Sequence, residues 1–146
     1  MKILILILVF MVNVEAGSLQ KLKKSCKRKD ANSCLDVGIL YQMGKRVKKD
    51  YKKAKFYYEK ACNLKNKEGC MYLADAYYFG EGTSQNYTLA KKYYKHSCKL
   101  HHKPACKSLQ VTIKEEEQIK SAQKELERLK QEQKQLVLEA ELLDNL

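Results

Sequence analysis

Residues 62–70 read Cys62-Asn63-Leu64-Lys65-Asn66-Lys67-Glu68-Gly69-Cys70. The same frame, a cysteine answered by a second eight residues on, runs from Cys26 to Cys34 and again from Cys98 to Cys106. Successive frames lie 36 residues apart, and together they hold all 6 cysteines of the chain. A fixed period of this length marks a stacked-repeat architecture in which each unit is one small supersecondary structure. Other residues keep the register: Tyr41 with Tyr77, Gly44 with Gly80, Tyr51 with Tyr87, Ala54 with Ala90, and Tyr57-Tyr58 with Tyr93-Tyr94.

Each unit reads as two helices. Tyr51, Ala54, Tyr58 and Ala61 form one helical stripe, repeated by Tyr87, Ala90, Tyr94 and Ser97. Cys34, Val37, Gly38 and Tyr41 form a second, echoed by Cys70, Leu73, Ala74 and Tyr77. Gly44 and Gly80 fall where a helix must end in a left-handed residue, and Asp50 and Asn86 fall where the next must be capped. The pattern predicts helices over about 19–26, 32–43, 50–63, 68–79 and 86–99, with a last one opening near Pro104 and running almost to the end. Nothing alternates with period two. The expected fold is therefore all-α, an α/α superhelical solenoid of about two and a half units.

An even cysteine count in a small exported chain reads as a disulfide framework. Six cysteines allow fifteen pairings, but only the local one is equivalent in every unit: Cys26–Cys34, Cys62–Cys70 and Cys98–Cys106. Each bridge closes a ring of about nine residues and contributes roughly 2–3 kcal/mol. The rival is zinc, because Cys98, His101, His102 and Cys106 are four ligand types at short spacing. The other two frames keep the cysteines and have no histidine, so a metal confined to one unit does not explain them. No metal and no cofactor are assigned.

Residues 1–16 carry a positive start, the apolar run from Ile3 to Val12, and Val14-Glu15-Ala16 at a cleavable junction. This is the order of a secretory signal peptide, and the apolar run is about half of what a spanning helix needs. The expected organisation is a signal peptide at 1–16, the repeats at 17–113 and a helical tail at 114–146, in a protein that is secreted or periplasmic with no membrane span after cleavage. Charge is uneven: residues 17–106 hold 21 Lys/Arg against 7 Asp/Glu, and residues 107–146 hold 7 against 9. So basic a body attracts anionic partners at long range. Cell-wall polymers, lipid head groups and acidic proteins are candidates. One tyrosine of each pair belongs to the core stripe, no nucleic-acid-reading module is recognisable, and export argues against a genomic target, so no nucleic acid is expected.

Val37-Gly38-Ile39-Leu40-Tyr41, Gly44, Asp50 and Lys53-Ala54 through Lys60-Ala61 resemble the Sel-one-like repeat, a relative of the tetratricopeptide repeat. Leu73-Ala74-Asp75-Ala76-Tyr77, Gly80-Glu81-Gly82 and Leu89-Ala90 through Tyr93-Tyr94 repeat the match. With the added cysteine pairs, residues 20–113 look like the Helicobacter cysteine-rich protein family. That resemblance implies an exported, disulfide-stapled helical protein. It also implies penicillin binding with slow β-lactam hydrolysis, or else a non-catalytic module that meets a protein or cell-wall component. The residues themselves supply no catalytic set. Ser-x-x-Lys occurs at Ser18 with Lys21 and at Ser121 with Lys124, without Ser-Asp-Asn, Lys-Thr-Gly or a zinc-binding histidine cluster beside it.

From Ile119 the tail shows a heptad seam: Ile119, Ala122, Leu126, Leu129, Gln133, Leu136, Ala140 and Leu143. Glu125, Glu132 and Glu139 flank it, where they can reach Lys130 of a partner helix. Such a seam can support self-association or the docking of a partner.

Overall fold

The structure, a computed structural model, describes residues 18–144; the expected signal peptide lies outside them. Among the described residues the chain is helical throughout, with no strand. Helix α1 covers 18–27, α2 Ala31–Met43, α3 Tyr51–Asn63, α4 Lys67–Phe79, α5 Tyr87–Lys99 and α6 Lys103–Asp144. The chain divides into two compact units, one reaching Thr112 and one beginning at Ile113. The early part of α6 therefore belongs to the repeat body and the remainder to the tail.

Two kinds of connection alternate. The longer ones leave α2 and α4 through Gly44 and Gly80, whose φ angles of 68° and 73° lie in the left-handed region that glycine enters without a Cβ penalty. They end at Asp50 and Asn86, whose side chains accept the backbone amides of Lys53 and Leu89. The tight turns are the cysteine frames. Helix α3 ends at Asn63 and α4 starts at Lys67. Within that turn the Lys65 amide donates to the Cys62 carbonyl at 2.8 Å and the Asn66 amide to the Ala61 carbonyl at 3.0 Å. This is a Schellman closure, and it puts Lys65 at φ 63°. Lys29 and His101, in register one unit before and after, are left-handed too, at 68° and 61°. The turn geometry thus repeats although its key residue is not glycine.

A disulfide spans each of these turns: Cys26–Cys34, Cys62–Cys70 and Cys98–Cys106. The first two are also core. Cys34 and Cys70 are wholly buried, Cys26 and Cys62 nearly so. Between the helices lie Val37, Tyr41, Ala54, Tyr58 and Leu73, then Ala74, Ala90, Tyr94 and Ala105. Small residues set the spacing. A methyl added at Gly38 would stand 2.5 Å from the Tyr58 ring, and one at Gly69 would stand 2.6 Å from the Ala61 methyl. Neighbouring units are tied by polar rungs in register. Asn66 donates to the Asn32 side chain at 2.8 Å, and one unit on His102 Nδ1 lies 3.9 Å from Glu68. The Ser97 hydroxyl donates to the Lys67 carbonyl at 2.7 Å.

The tail is a long exposed helix laced by its own ion pairs. Arg128 reaches Glu125 at 2.8 Å and Glu132 at 3.3 Å, and Lys120 reaches Glu116 at 3.0 Å. The seam residues Ile119, Leu126, Leu129, Leu136 and Leu143 are solvent-exposed. No helix among the described residues is long and apolar enough to cross a membrane.

Two stability outcomes follow from the tight turns. Replacing both Cys62 and Cys70 by Ala removes a nine-residue ring and two core side chains, and should lower the unfolding free energy by about 2–5 kcal/mol in a denaturant titration. Lys65→Gly relieves a left-handed residue while leaving the bridge intact, and should raise it by about 1 kcal/mol in the same titration.

Candidate functional site

Tyr41 of α2 stacks on Tyr57 of α3, with ring centroids 5.9 Å apart and planes 13° apart. One unit on, Tyr77 of α4 stacks on Tyr93 of α5 at 5.6 Å and 6°. The sequence places these tyrosines 36 residues apart, and helix pairing turns that spacing into two parallel aromatic ribs. Lysines cover them. Lys23 and Lys53 lie 5.3 Å and 5.4 Å from the Tyr41 ring centre, Lys55 is 5.1 Å from that of Tyr77, and Lys92 is 5.6 Å from that of Tyr93. Each ring face holds the stem and charge of a lysine in place. A hydrogen bond to the Tyr41 side chain raises the pKa of Lys23 above the usual lysine value.

Shallow grooves lie beside the ribs. The one between α1 and α3 is walled by Lys21, Lys23, Lys24, Lys27 and Tyr57 and holds about 580 Å³. Lys27 also lines a hollow of about 340 Å³ at the first disulfide, together with Lys29 and Lys60. The groove between α3 and α5 holds about 350 Å³ against Cys62, with Lys65, Lys92, Tyr93 and His96 around it. No carboxylate lines any of the three. The face therefore repeats along the units as lysines, one tyrosine wall and one disulfide floor.

The core tyrosines have a different task. Tyr58 and Tyr94 are almost wholly buried. The Tyr58 hydroxyl donates to Gln42 at 2.6 Å, and that of Tyr94 donates to the Asp75 carboxylate. Burial pushes both phenols well above their ordinary range. Burial also raises the pKa of Asp75. The Tyr94 hydrogen bond works in the other direction, and the charge of Glu81 adds to the rise.

The histidine cluster is split by this geometry. Cys98 and Cys106 are joined to each other and offer no thiolate, while His102 is engaged by Glu68. His96 approaches the Cys62 and Cys70 sulfurs within 4.8 Å, but those sulfurs are bridged as well. The two Ser-x-x-Lys matches remain sequence matches. Ser18 accepts from Arg46 at 3.0 Å, and Ser121 donates to the Gln118 carbonyl on the exposed tail at 2.8 Å.

Comparison with known proteins agrees with the helix-pair repeat fold. The Sel1 repeat model matches residues 31–66 and 67–102. Helicobacter pylori cysteine rich protein B superposes with a TM-score of 0.61 at 40% identity, over 62% of this chain and 68% of that one. The chain belongs to the Sel1-repeat family. A Sel1 repeat protein from Oxalobacter formigenes is 30% identical with a TM-score of 0.60, over 64% of this chain and 38% of that one. A protective antigen of uropathogenic Escherichia coli with an SLR fold is 26% identical with a TM-score of 0.61, over 62% of this chain. This chain spans only a fifth of that antigen's length. No curated protein matches. In Sel1 terms, α2–α3 and α4–α5 are two repeats, and the third disulfide begins a further unit whose first helix continues as the tail.

The Asp75 geometry carries a pH signature. A carboxyl whose pKa is raised in the folded chain holds its proton more tightly there than in the unfolded chain. Its contribution to stability is then complete at acid pH and is lost as pH rises from the ordinary carboxylate range through the raised value. Asp75→Asn keeps an acceptor for Tyr94 and removes the charge. It should raise the Tm at about pH 7 and leave it nearly unchanged at about pH 3, as read by thermal melts at the two pH values.

Proposed function

We propose that this Sel1-repeat protein is an exported, non-catalytic interaction module whose lysine-covered tyrosine ribs hold an acidic segment of a partner protein. The single observation behind this reading is the repetition of the Tyr41–Tyr57 and Tyr77–Tyr93 stacks, each covered by lysines, beside grooves that no carboxylate lines. A stacked pair of tyrosines offers a flat apolar wall, and lysines anchored on the rings stand ready to meet carboxylates without large loss of rotamer freedom. Helix-pair repeats display such features at regular intervals along one surface. Three disulfides suit an oxidising compartment outside the cytoplasm, in keeping with the expected signal peptide and with the cysteine-rich relative. The lactam chemistry raised by the resemblance has no Ser-Asp-Asn, Lys-Thr-Gly or zinc-type histidine motif behind it in the sequence.

The test uses oxidised protein lacking residues 1–16 and a fluorescein-labelled ten-residue polyglutamate peptide, with polyglutamine of the same length as the neutral control. Anisotropy should show binding of the acidic peptide that weakens steeply as salt is raised. The triple variant Lys23→Glu, Lys55→Glu, Lys92→Glu should bind it at least about tenfold more weakly, with unchanged circular dichroism. Equal binding of the two peptides, or no effect of the triple variant, would defeat the proposal. A chromogenic lactam run alongside should show no turnover above an unfolded control.

A further inference from the structure

At the end of the repeat body, α4, α5 and the first turns of α6 enclose a pocket of about 270 Å³ lined by Asp75, Tyr78, Phe79, Tyr94, Ser108 and Thr112, with Lys107 and Val111 completing the lining. It lies apart from the tyrosine ribs and shares no lining residue with the basic grooves. The repeat explains why it exists. In the preceding interval the same place is filled, because Tyr72 lies on Tyr58 with ring centroids 5.1 Å apart and planes 19° apart. Tyr94 stands in the register of Tyr58, but the register of Tyr72 holds Ser108. One tyrosine side chain is missing from the stack, and a hole of side-chain size is left.

A second departure from the repeat points into the same hole. Asp75 occupies the register of Ile39. Its carboxylate accepts the Tyr94 hydroxyl, and no lysine or arginine of the described residues forms an ion pair with it. A half-buried carboxylate without a cation is costly in any protein. Residues 17–106 alone hold 21 Lys/Arg, so it stands out further, since counter-charges are plentiful elsewhere. The rings of Tyr78, Phe79 and Tyr94 line the same pocket, with Tyr78 and Phe79 edge to face at 4.8 Å. Phe79 and Val111 at the pocket are largely exposed. A carboxylate in a pocket lined by aromatic rings is the combination that holds an ammonium group, through charge and cation–π attraction together.

We infer that this pocket binds a lysine-type ligand, an alkylammonium chain whose head pairs with Asp75 between the aromatic rings. The volume is below the range of roughly 300–1,000 Å³ common for drug-sized ligands, so it suits one side chain rather than a large molecule. Lys107 is the other charged group of the lining, and it favours a ligand that also carries a carboxylate. The site is separate from the proposed basic face and opposite to it in charge preference.

The experiment titrates Nα-acetyl-lysine into the oxidised protein by calorimetry, with Nα-acetyl-norleucine as the isostere that lacks the ammonium. Nα-acetyl-lysine should bind, and the norleucine compound at least about tenfold more weakly. Asp75→Asn should weaken the lysine compound by at least about tenfold. Ser108→Tyr restores the side chain that the preceding interval has and should abolish binding by filling the pocket. Thermal melts establish that both variants are folded, and the two act by unrelated means, so failure of one to fold leaves the other decisive. No binding of Nα-acetyl-lysine at about 10 mM, equal binding of the two compounds, or wild-type affinity in a folded variant would overturn the assignment.

Discussion

Two thirteen-residue helices joined by three residues bury too little apolar surface to hold themselves together, and the disulfide across that turn is the constraint on which the repeat body rests. The bridge keeps the turn closed even though its left-handed residue is a lysine or histidine rather than glycine. With the turn closed, Cys62 and Cys70 are at once a cross-link and core, packed beside Val37, Tyr58 and Leu73. Their position decides how α3 and α4 meet. That in turn sets Gly69 against Ala61 and brings Asn66 to Asn32 of the unit before. The staple is thus a structural element that orders polar rungs and aromatic stacks well beyond its own ring.

Much of this fold was legible from period and punctuation. Gly44, Asp50, Gly80 and Asn86 each have a local physical role that holds wherever they occur, so the longer connections could be placed to within a residue. The cysteine frames were legible because the same eight-residue spacing returns three times. Other features were hidden for identifiable reasons. Lys29, Lys65 and His101 have no intrinsic preference for a left-handed backbone, and they adopt it because the turn closed around them demands it. The caps at Asp30 and Asn66 lie inside the cysteine frames, where the eight-residue cysteine spacing dominates the pattern.

The candidate surfaces divide along the same line. The tyrosine pairs could be sorted into core and non-core partners from helical spacing, and Tyr58 and Tyr94 are indeed the buried members. That Tyr57 and Tyr93 then stack on Tyr41 and Tyr77 under lysines depends on how successive helices pack, which periodicity does not encode. The Asp75 pocket was less legible still. Its signals were two departures from the repeat, an Asp for an Ile and a Ser for a Tyr, 33 residues apart in the chain. Either alone looks like ordinary drift. They become one feature only when α4 and α6 are seen to face each other across Tyr94.

The staples also bear on what proteolysis does to the molecule. Basic residues crowd the tight turns: Lys27, Arg28 and Lys29 in the first, Lys65 and Lys67 at the second. Such exposed tips are where a trypsin-like enzyme would cut. A cut there falls inside a ring that a disulfide closes, so both ends stay covalently attached and both helices keep their partners. The nicked chain retains its mass under oxidising conditions and separates into fragments only when reduced. In an oxidising compartment, where reductants are scarce, the same bridges let the protein tolerate broken peptide bonds at its most exposed points.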